Sequence, residues 1–548
     1  MADKKVRIAV RILGYNLNTD TIDTFRYSNA GFTKIIGADI IPAYYEPYLG
    51  DSILIKQDVA DDAISVRLNN NGTLDSLLNY TFKDYEIKVY MSIHNSPNNE
   101  KFYPLFSGKI NTLDVKFNTV EIKAKSNFTS LDEDINHEVF TGVSTDFEGE
   151  TELAGKNKPR LIGSAFNITP YLLKSNTLIY GFNWSKSGTR DSSIEISSIR
   201  DGGSPLTLEL AGGSAGDFAT TALMDAFSPP PGKYVTCIAE STVKLGSSPV
   251  YGVTLDADNG TNTYTGWIQL IATEANLAGY VIQSAPNYKI GVWLEGLTTY
   301  IQANEQLSEN LDLYMWFDSE AKLNVSTLGK DNPLNPVNFI ESGLELTNDN
   351  DIPYFDIERV SYELPIKKAI VKFNKNYTTQ SQSDLAGLVT EGDKEPYKEE
   401  YLSTSLENII SPDPYPLDNT EEHDTSIQLE ADAITELARW LSLRDSIVDY
   451  INITVPILDY NSYAIIGVIA SGSTLYLNVS VTDTLVSSST VLVSDSNTTY
   501  SEQDSLILGG LVTITGTRFN YSETNFFITK IEINTRTMMA TYTLRGER

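Results

Sequence analysis

Segments rich in Val, Ile, Thr, Tyr and Phe, each closed by an Asn, Gly or Pro turn, recur from one end of this 548-residue chain to the other. Such runs build sheets, because β-branched and aromatic side chains fit a pleated, half-buried surface. Near the start, "KVRIAVRIL" alternates in part, and "ISVRLNNNGTLDSLLNY" runs from a strand through an Asn-Gly turn into a short helix-like segment. "YEIKVYMSI" follows as a strand, and "FYPLFSGKINTLDVKFNTVEIKAKS" divides into three strand candidates at Gly108 and Asn118. From residue 461 the chain has strand composition throughout, in "TLYLNVSVTDTLVSSSTVLV", "LVTITGTRF", "NFFITKIEI" and "MMATYTLRG".

Helical periodicity is confined to the middle. "GWIQLIATEANLAG" (266–279) and "TTYIQANEQLSENL" (298–311) are helix candidates, and "SIQLEADAITELARWLSL" (426–443) is the strongest. Its expected apolar face is Ile427, Ala431, Ile434, Ala438 and Leu441. "LDLYMWFDSEAKLNVSTLG" has the look of a hairpin, with Tyr314, Trp316, Leu323 and Val325 flanking a turn at Asp318-Ser319-Glu320. "IKKAIVKFNKNYT" alternates cleanly, with Ala369, Val371 and Phe373 on one face. Residues 181–265 are loop-rich, 345–358 are acidic and turn-like, and 379–424, with four prolines, reads as a long polar excursion. The expected class is mainly β with some α, in several domains: 1–128, a middle α/β part over 129–344, an α/β part with a long loop over 345–460, and a β part over 461–548. No fixed-period repeat is present, which argues against a solenoid or propeller.

Charge limits the partners. The formal net charge of −31 repels nucleic-acid backbones and anionic membranes. A grip on DNA is therefore not expected, whereas a surface past which DNA slides would suit the charge. Plain solubility would suit it too. The single cysteine, Cys237, excludes a disulfide within the chain, and its setting in "KYVTCIAES" is that of a core strand. His94, His137 and His423 are scattered without ligand spacing. "MADKKVRIAV" has too short an apolar run for a signal peptide, and no stretch is long and apolar enough to span a membrane.

Chemistry-bearing motifs are weak. There is no G-x-S-x-G elbow, Walker A run or strand–GxGxxG–helix unit, and "LGG" at 508–510 is a turn or bulge. "DADNG" (Asp256 to Gly260) resembles the start of a calcium loop, but its twelfth position is Trp267 rather than Glu, so a turn is the better reading. "NDND" (Asn348 to Asp351) also reads as a turn. Among 72 Asp and Glu residues no catalytic pair stands out. "AYYEPY" (43–48) could be a sugar platform or a packed sheet edge. No catalytic, cofactor-binding or metal residue is assigned, and no cofactor is expected.

One stretch is more specific than its chemistry demands. In "KPRLIGSAFNITPYL" (158–172), Lys158-Pro159-Arg160 is a stiff basic entry, and Leu161, Ile162 and Phe166 are apolar. Gly163 breaks the run, and Asn167-Ile168-Thr169-Pro170 reads as a turn. Followed by "YGFNW", it resembles a block in tail-tip and baseplate hub proteins of long-tailed, siphovirus-like bacteriophages. "TFRYSNAGFT" (24–33), "SVRLNNNGTLDSLLNYTFKDYEIKVY" (65–90) and "FSGKI" (106–110) are similar to the segments that open the first barrel of that family. "PPPGKYVTCIAESTVKLGSSPVYGVTLDADNG" (229–260) is similar to a middle-domain segment. "AIVKFNKNYT" (369–378) and "ARWLSLR" (438–444) resemble the domain before the last barrel, and "FITKIEINTRTMMATYTLRG" (527–546) its closing hairpin. The stretch from "SYAIIGVIA" to "SEQDSL" carries extra strands before that hairpin, as an insertion on a barrel loop would.

The resemblance implies β-barrel-type tube domains near both ends and a structural role without catalysis. It implies a homotrimeric ring at the tail tip that joins the tail tube to tip or fibre proteins. DNA passes through its lumen without specific binding. The protein would be assembled in the host cytoplasm and carried in the virion. Two other readings stay open on the residues: a receptor- or glycan-binding tail protein, and a cell-wall hydrolase, which the lack of a catalytic constellation disfavours.

Overall fold

The computed structural model describes residues 6–29, 49–58, 63–93, 103–143, 148–174, 179–184, 186, 195–201, 204–205, 235–238, 242–245, 253–456 with short interruptions, 510–537 and 539–547. The chain is mainly β, 51% strand and 18% helix, in several sheets, none of them closed among the described residues. The first eight strands are β1 (Val6–Asn16), β2 (Thr21–Ser28), β3 (Leu49–Asp58), β4 (Ala63–Asn69), β5 (Tyr80–Thr81), β6 (Glu86–Ile93), β7 (Tyr103–Val115) and β8 (Thr119–Lys125). They pair antiparallel in the order β2-β1-β6-β7-β8-β4-β3. In β4 the side chains of Ile64, Val66 and Leu68 are buried, while Ser65, Arg67 and Asn69 face water, as a period of two requires. The Asn-Gly turn follows, then a 3-10 helix over Thr73–Asn79 that buries Leu74 and Leu77.

Gly108 does not divide a strand. β7 runs through it as one 13-residue element, so the segment holds two strands rather than three. A Cβ at Gly108 would drive into the carbonyl oxygen of Lys125. The glycine is there because neighbouring backbone comes close, and a sequence shows such a residue and a turn residue alike.

The middle strands are β9 (Arg160–Ile168), β10 (Tyr171–Lys174), β11 (Ile179–Gly181), β12 (Glu195–Asp201), β13 (Ser204–Pro205), β14 (Val235–Ile238), β15 (Thr242–Leu245) and β16 (Val253–Asp258). Helix α1 (Tyr264–Glu274), β17 (Tyr280–Ile282), β18 (Gly291–Leu294), α2 (Tyr300–Ser308), β19 (Leu313–Phe317) and β20 (Leu323–Thr327) follow. One sheet has the order β13-β12-β16-β9-β18, a second β10-β11-β15-β14, and a third β17-β20-β19. β19 and β20 form the expected hairpin, with Met315 opposite Val325 and Phe317 opposite Leu323.

The last third contains β21 (Val337–Glu341), β22 (Asp351–Tyr354), β23 (Asp356–Glu363), β24 (Lys368–Phe373), α3 (Glu391–Lys398), β25 (Leu402–Glu407), β26 (Thr420–Asp424), α4 (Glu430–Ser442), β27 (Val448–Pro456), β28 (Leu511–Gly516), β29 (Tyr521–Asn534) and β30 (Met539–Glu547). Two polar regions read as loops are therefore partly ordered. In 345–358, Asp351 sits in a strand because Asn338 of the neighbouring β21 donates to its carboxylate at 2.9 Å. In 379–424, β25 and β26 add to the two edges of β24, whose Ala369, Val371 and Phe373 are buried as the alternation implied. The run "TLYLNVSVTDTLVSSSTVLV" and "AYYEPY" lie outside the described residues.

The two ends of the chain share one sheet. β29 pairs antiparallel with β3, from Lys530 opposite Asp58 to Asn534 opposite Leu54. From β29 the ladder continues through β28 and β21 to β22 on one path, and through β30 and β27 to β23 on the other. Val10, Leu68 and Val120 near the start lie in the same hydrophobic core as Phe339, Ile453, Phe526 and Tyr542. Among the described residues no sheet closes on itself.

A second core collects residues of α1, α2 and α4 with β18, β19, β20 and β24. The buried face of α4 is Ala433, Glu436, Leu437, Trp440 and Leu441. Of the expected face, Ile427 and Leu441 are buried, but the rest is corrected: Ile434 is 49% exposed, and Ala431 and Ala438 face water. Trp440 with Leu437 offers more apolar area than Ala431, Ile434 and Ala438, and burial follows area. Glu436 lies on that buried face. Its carboxylate is 1% exposed and takes hydrogen bonds from Tyr288 at 3.0 Å and Arg439 at 2.6 and 2.8 Å.

Candidate functional site

The block around residue 160 is densely tied. β9 lies between β16 and β18, and all of its residues but Phe166 are buried. It runs unbroken through Gly163, whose φ is +70° and whose Cβ, if present, would drive into the carbonyl oxygen of Ile290. The sequence reading of Gly163 as a break is thus corrected: it is a backbone position that only glycine fits. Asn167 belongs to the strand too, with φ +57°, and the turn before β10 is confined to Thr169-Pro170.

Each charge at the entry is answered inside the protein. Lys158, 5% exposed, donates to Glu148 at 2.7 Å. Arg160 grips both carboxylate oxygens of Glu274, at 2.8 and 2.5 Å, and donates to the Ile135 carbonyl at 3.1 Å. Tyr300 donates to the same Glu274 at 2.9 Å. Burial, then the Glu274 charge beside it, pushes the Tyr300 phenol well above its ordinary range. Lys186 bridges Glu133 and the Glu274 carbonyl, both at 3.1 Å. A planar guanidinium matched to a carboxylate fork holds direction as well as charge, which fixes α1 against β9.

The far end of β9 forms a second knot. The Asn167 amide nitrogen of the backbone donates to Asp256 at 2.8 Å, and its side chain donates to Asn376 at 2.8 Å and the Thr378 carbonyl at 2.7 Å. Arg200 chelates Asp256, and its guanidinium lies 5.1 Å from the ring centres of Phe166 and Tyr397, which stack on each other. Asn376 donates in turn to the carbonyls of Pro396, Tyr397 and Glu399. Asp258 accepts from Ser164, the Gly260 amide, Asn262 and Lys289. Burial pushes its carboxyl up, but those hydrogen bonds outweigh burial and leave it below the ordinary aspartate value.

The turn expected at "DADNG" is corrected: Asp256 and Asp258 lie in strand β16 and face Arg200, Ser164 and Lys289. Cys237 lies in β14, opposite Val243. His137 sits beside Glu138 at 3.3 Å and His423 beside Glu421 at 3.7 Å, while His94 lies outside the described residues. Among the described residues no group of three His, Cys, Asp or Glu is placed to hold a metal ion, and no helix is long and apolar enough to cross a membrane. Sequence reasoning missed Glu274, Arg200 and Asn376 as partners of the block. The only hint was Arg160 itself, a cation inside an apolar run of an acidic chain.

No protein-family model matches the chain, and no curated protein matches it. Among solved structures, it is similar to a tail protein from Neisseria meningitidis, at 10% identity and a TM-score of 0.40 over 99% of this chain and 96% of that one. It is similar to the 43 kDa tail protein of prophage MuSo2 from Shewanella oneidensis, at 8% identity and a TM-score of 0.42 over 98% of each. It is also similar to prophage tail protein gp18 from Listeria monocytogenes, at 9% identity and a TM-score of 0.36 over 98% and 94%. With TM-scores below 0.5, these likenesses say nothing about what this chain does.

Proposed function

We propose that the chain is a structural protein of a bacteriophage tail, acting at the tail tip as a hub that joins the tail tube to tip or fibre proteins. The observation that carries the reading is the role of the block that resembles the family. Residues 158–168 of this block form a buried joint in which Lys158 is tied to nearby Glu148, and Arg160, Ser164 and Asn167 are each tied to a distant segment. Such a joint supplies rigidity and no reactive group, which suits a part that works by shape. The net charge of −31 supports a lumen past which DNA moves without sticking. The partners in this reading are further copies of the chain in a homotrimer, the tail tube and distal tail proteins, and tip or fibre proteins. The protein is assembled in the host cytoplasm and ends in the virion. The division at about residues 128, 344 and 460 goes with it, the two ends of the chain together forming the tube-facing part.

Negative-stain imaging of the purified protein, alone and mixed with tail tube protein, tests the reading. Three-fold rings, or caps on tube ends, are expected. Monomers that leave tube ends bare and bind host cells on their own would overturn it in favour of a receptor-binding role.

A further inference from the structure

Asn71-Gly72 stands on the turn between β4 and the 3-10 helix, with both residues exposed. An asparagine followed by glycine is chemically labile, because no side chain shields the following amide nitrogen. Here the fold adds something to that lability. The side-chain carbonyl oxygen of Asn71 accepts from the backbone N–H of Thr73 at 3.2 Å and from the Thr73 hydroxyl as well. Two donors converge on the one oxygen that gains charge when the Asn71 amide is attacked.

We propose that Asn71 is a deamidation site of the folded protein and that Thr73 accelerates the reaction by stabilising that oxygen. The Gly72 nitrogen, its proton lost to solvent base, bonds to Asn71 Cγ, and the carbonyl electron pair moves onto Oδ1 toward the Thr73 donors. Collapse breaks the Cγ–Nδ2 bond, and the nitrogen leaves as ammonia with a proton from water. The resulting succinimide is opened by water at either carbonyl, giving aspartate or isoaspartate. The sum is one amide and one water converted to a carboxylate and ammonium. The Gly72 N–H is held by Asn70 at 2.9 Å, and attack requires that bond to open. The same Asn70 oxygen also accepts from Leu74 at 3.3 Å, so it keeps a partner when Gly72 leaves. Asn70 itself is 6% exposed, and its amide hydrogens are taken by Asp75 and the Lys116 carbonyl, so its side chain is held away from reaction.

Isoaspartate inserts a carbon into the backbone where the chain enters the helix that buries Leu74 and Leu77. The modification thus adds negative charge and loosens one end of the N-terminal sheet.

The test is peptide mapping by mass spectrometry of the full chain after incubation at mildly alkaline pH, folded and in urea. The expected result is conversion at Asn71 in the folded chain, slowed roughly three- to tenfold by Thr73→Val, as the loss of one hydrogen bond predicts. Thr73→Ser should keep the rate, and in urea all three chains should convert alike. The proposal is overturned if Asn71 converts only in urea, if Thr73→Val leaves the folded rate unchanged, or if it slows both states equally. Near-UV circular dichroism checks that each variant is folded.

Discussion

Asn167 and Asn376, 209 residues apart in the chain, are hydrogen-bonded side chain to side chain at 2.8 Å. Both are buried, at 0% and 3% exposure, and between them they bind Asp256, Thr378, Pro396, Tyr397 and Glu399. The pair ties β9 to the segment before α3, two parts of the molecule that no local signal connects.

Alanine at Asn376 would take a donor from the carbonyls of Pro396 and Glu399 and an acceptor from the Thr378 backbone N–H, while Asn167 would keep its bond to the Thr378 carbonyl and Tyr397 its bond from the Gln380 N–H. Asn376→Ala is expected to destabilise by about 2–4 kcal/mol, since each buried group left unsatisfied costs about 1–3 kcal/mol and neighbours partly relax. Asn167→Ala should cost a similar amount, and the double variant less than the sum. Urea unfolding of the four chains of this cycle measures the coupling. Additive effects would show that the pair does not act as a unit.

Gly163→Val should be among the worst single substitutions, because it combines strain at φ +70° with a clash on the Ile290 carbonyl. A loss of about 4 kcal/mol or more is expected. Pro159→Ala, which keeps the carbonyl that accepts from Trp184, should change stability by less than about 1 kcal/mol. Thermal unfolding of the two variants separates their effects, and full-titre phage carrying both together would count against the joint's role in assembly.

The Glu436–Arg439 pair makes a prediction of opposite sign for one and two changes. Arg439→Leu strands a carboxylate that is 1% exposed and should cost about 3–5 kcal/mol. Changing Glu436 to Leu as well removes the stranded charge and should recover most of that loss. Guanidinium unfolding at neutral pH decides it. A double variant no more stable than Arg439→Leu would mean that the arginine's bond to the Leu311 carbonyl, at 3.0 Å, matters more than its charge.

Asp258 gives the pH dependence a definite sign. Its folded carboxyl lies below the ordinary aspartate value, since hydrogen bonds outweigh burial. A depressed folded value means that the unfolded chain takes up the proton first, so the contribution is complete above the ordinary value. It is lost as pH falls through the lower, folded one. Asp258→Asn should flatten stability against pH in that acidic window and leave the slope near neutrality unchanged. Urea midpoints over an acid series test this.

Ile533, 3% exposed and opposite Ile55, reports on the union of the chain ends. Ile533→Ala should cost about 2–4 kcal/mol. Hydrogen exchange should show lost protection in β3 and β4 as well as in β29. Loss confined to β29 would mean that the two ends unfold separately.

The sequence by itself determined the local elements with a strong period. β4 and β24 follow from alternation, because a pleated strand with one buried face leaves that pattern whatever surrounds it, and the β19–β20 hairpin follows from two apolar runs flanking a polar stretch. The class, mainly β with helices in the middle, follows for the same reason. Tertiary structure alone decided the rest. Strand pairing joins β3 to β29 across more than four hundred residues, and nothing in either strand names its partner, since backbone hydrogen bonds are the same for every sequence. Tyr288 and Arg439 make Glu436 buriable, so the buried face of α4 is turned from the expected one and shares only Leu441 with it. The joint at 158–172 was legible as an unusual block but not as a strand. Gly163 and Asn167 look like turn residues until the carbonyl of Ile290 and the side chain of Asn376 show what they are shaped to meet.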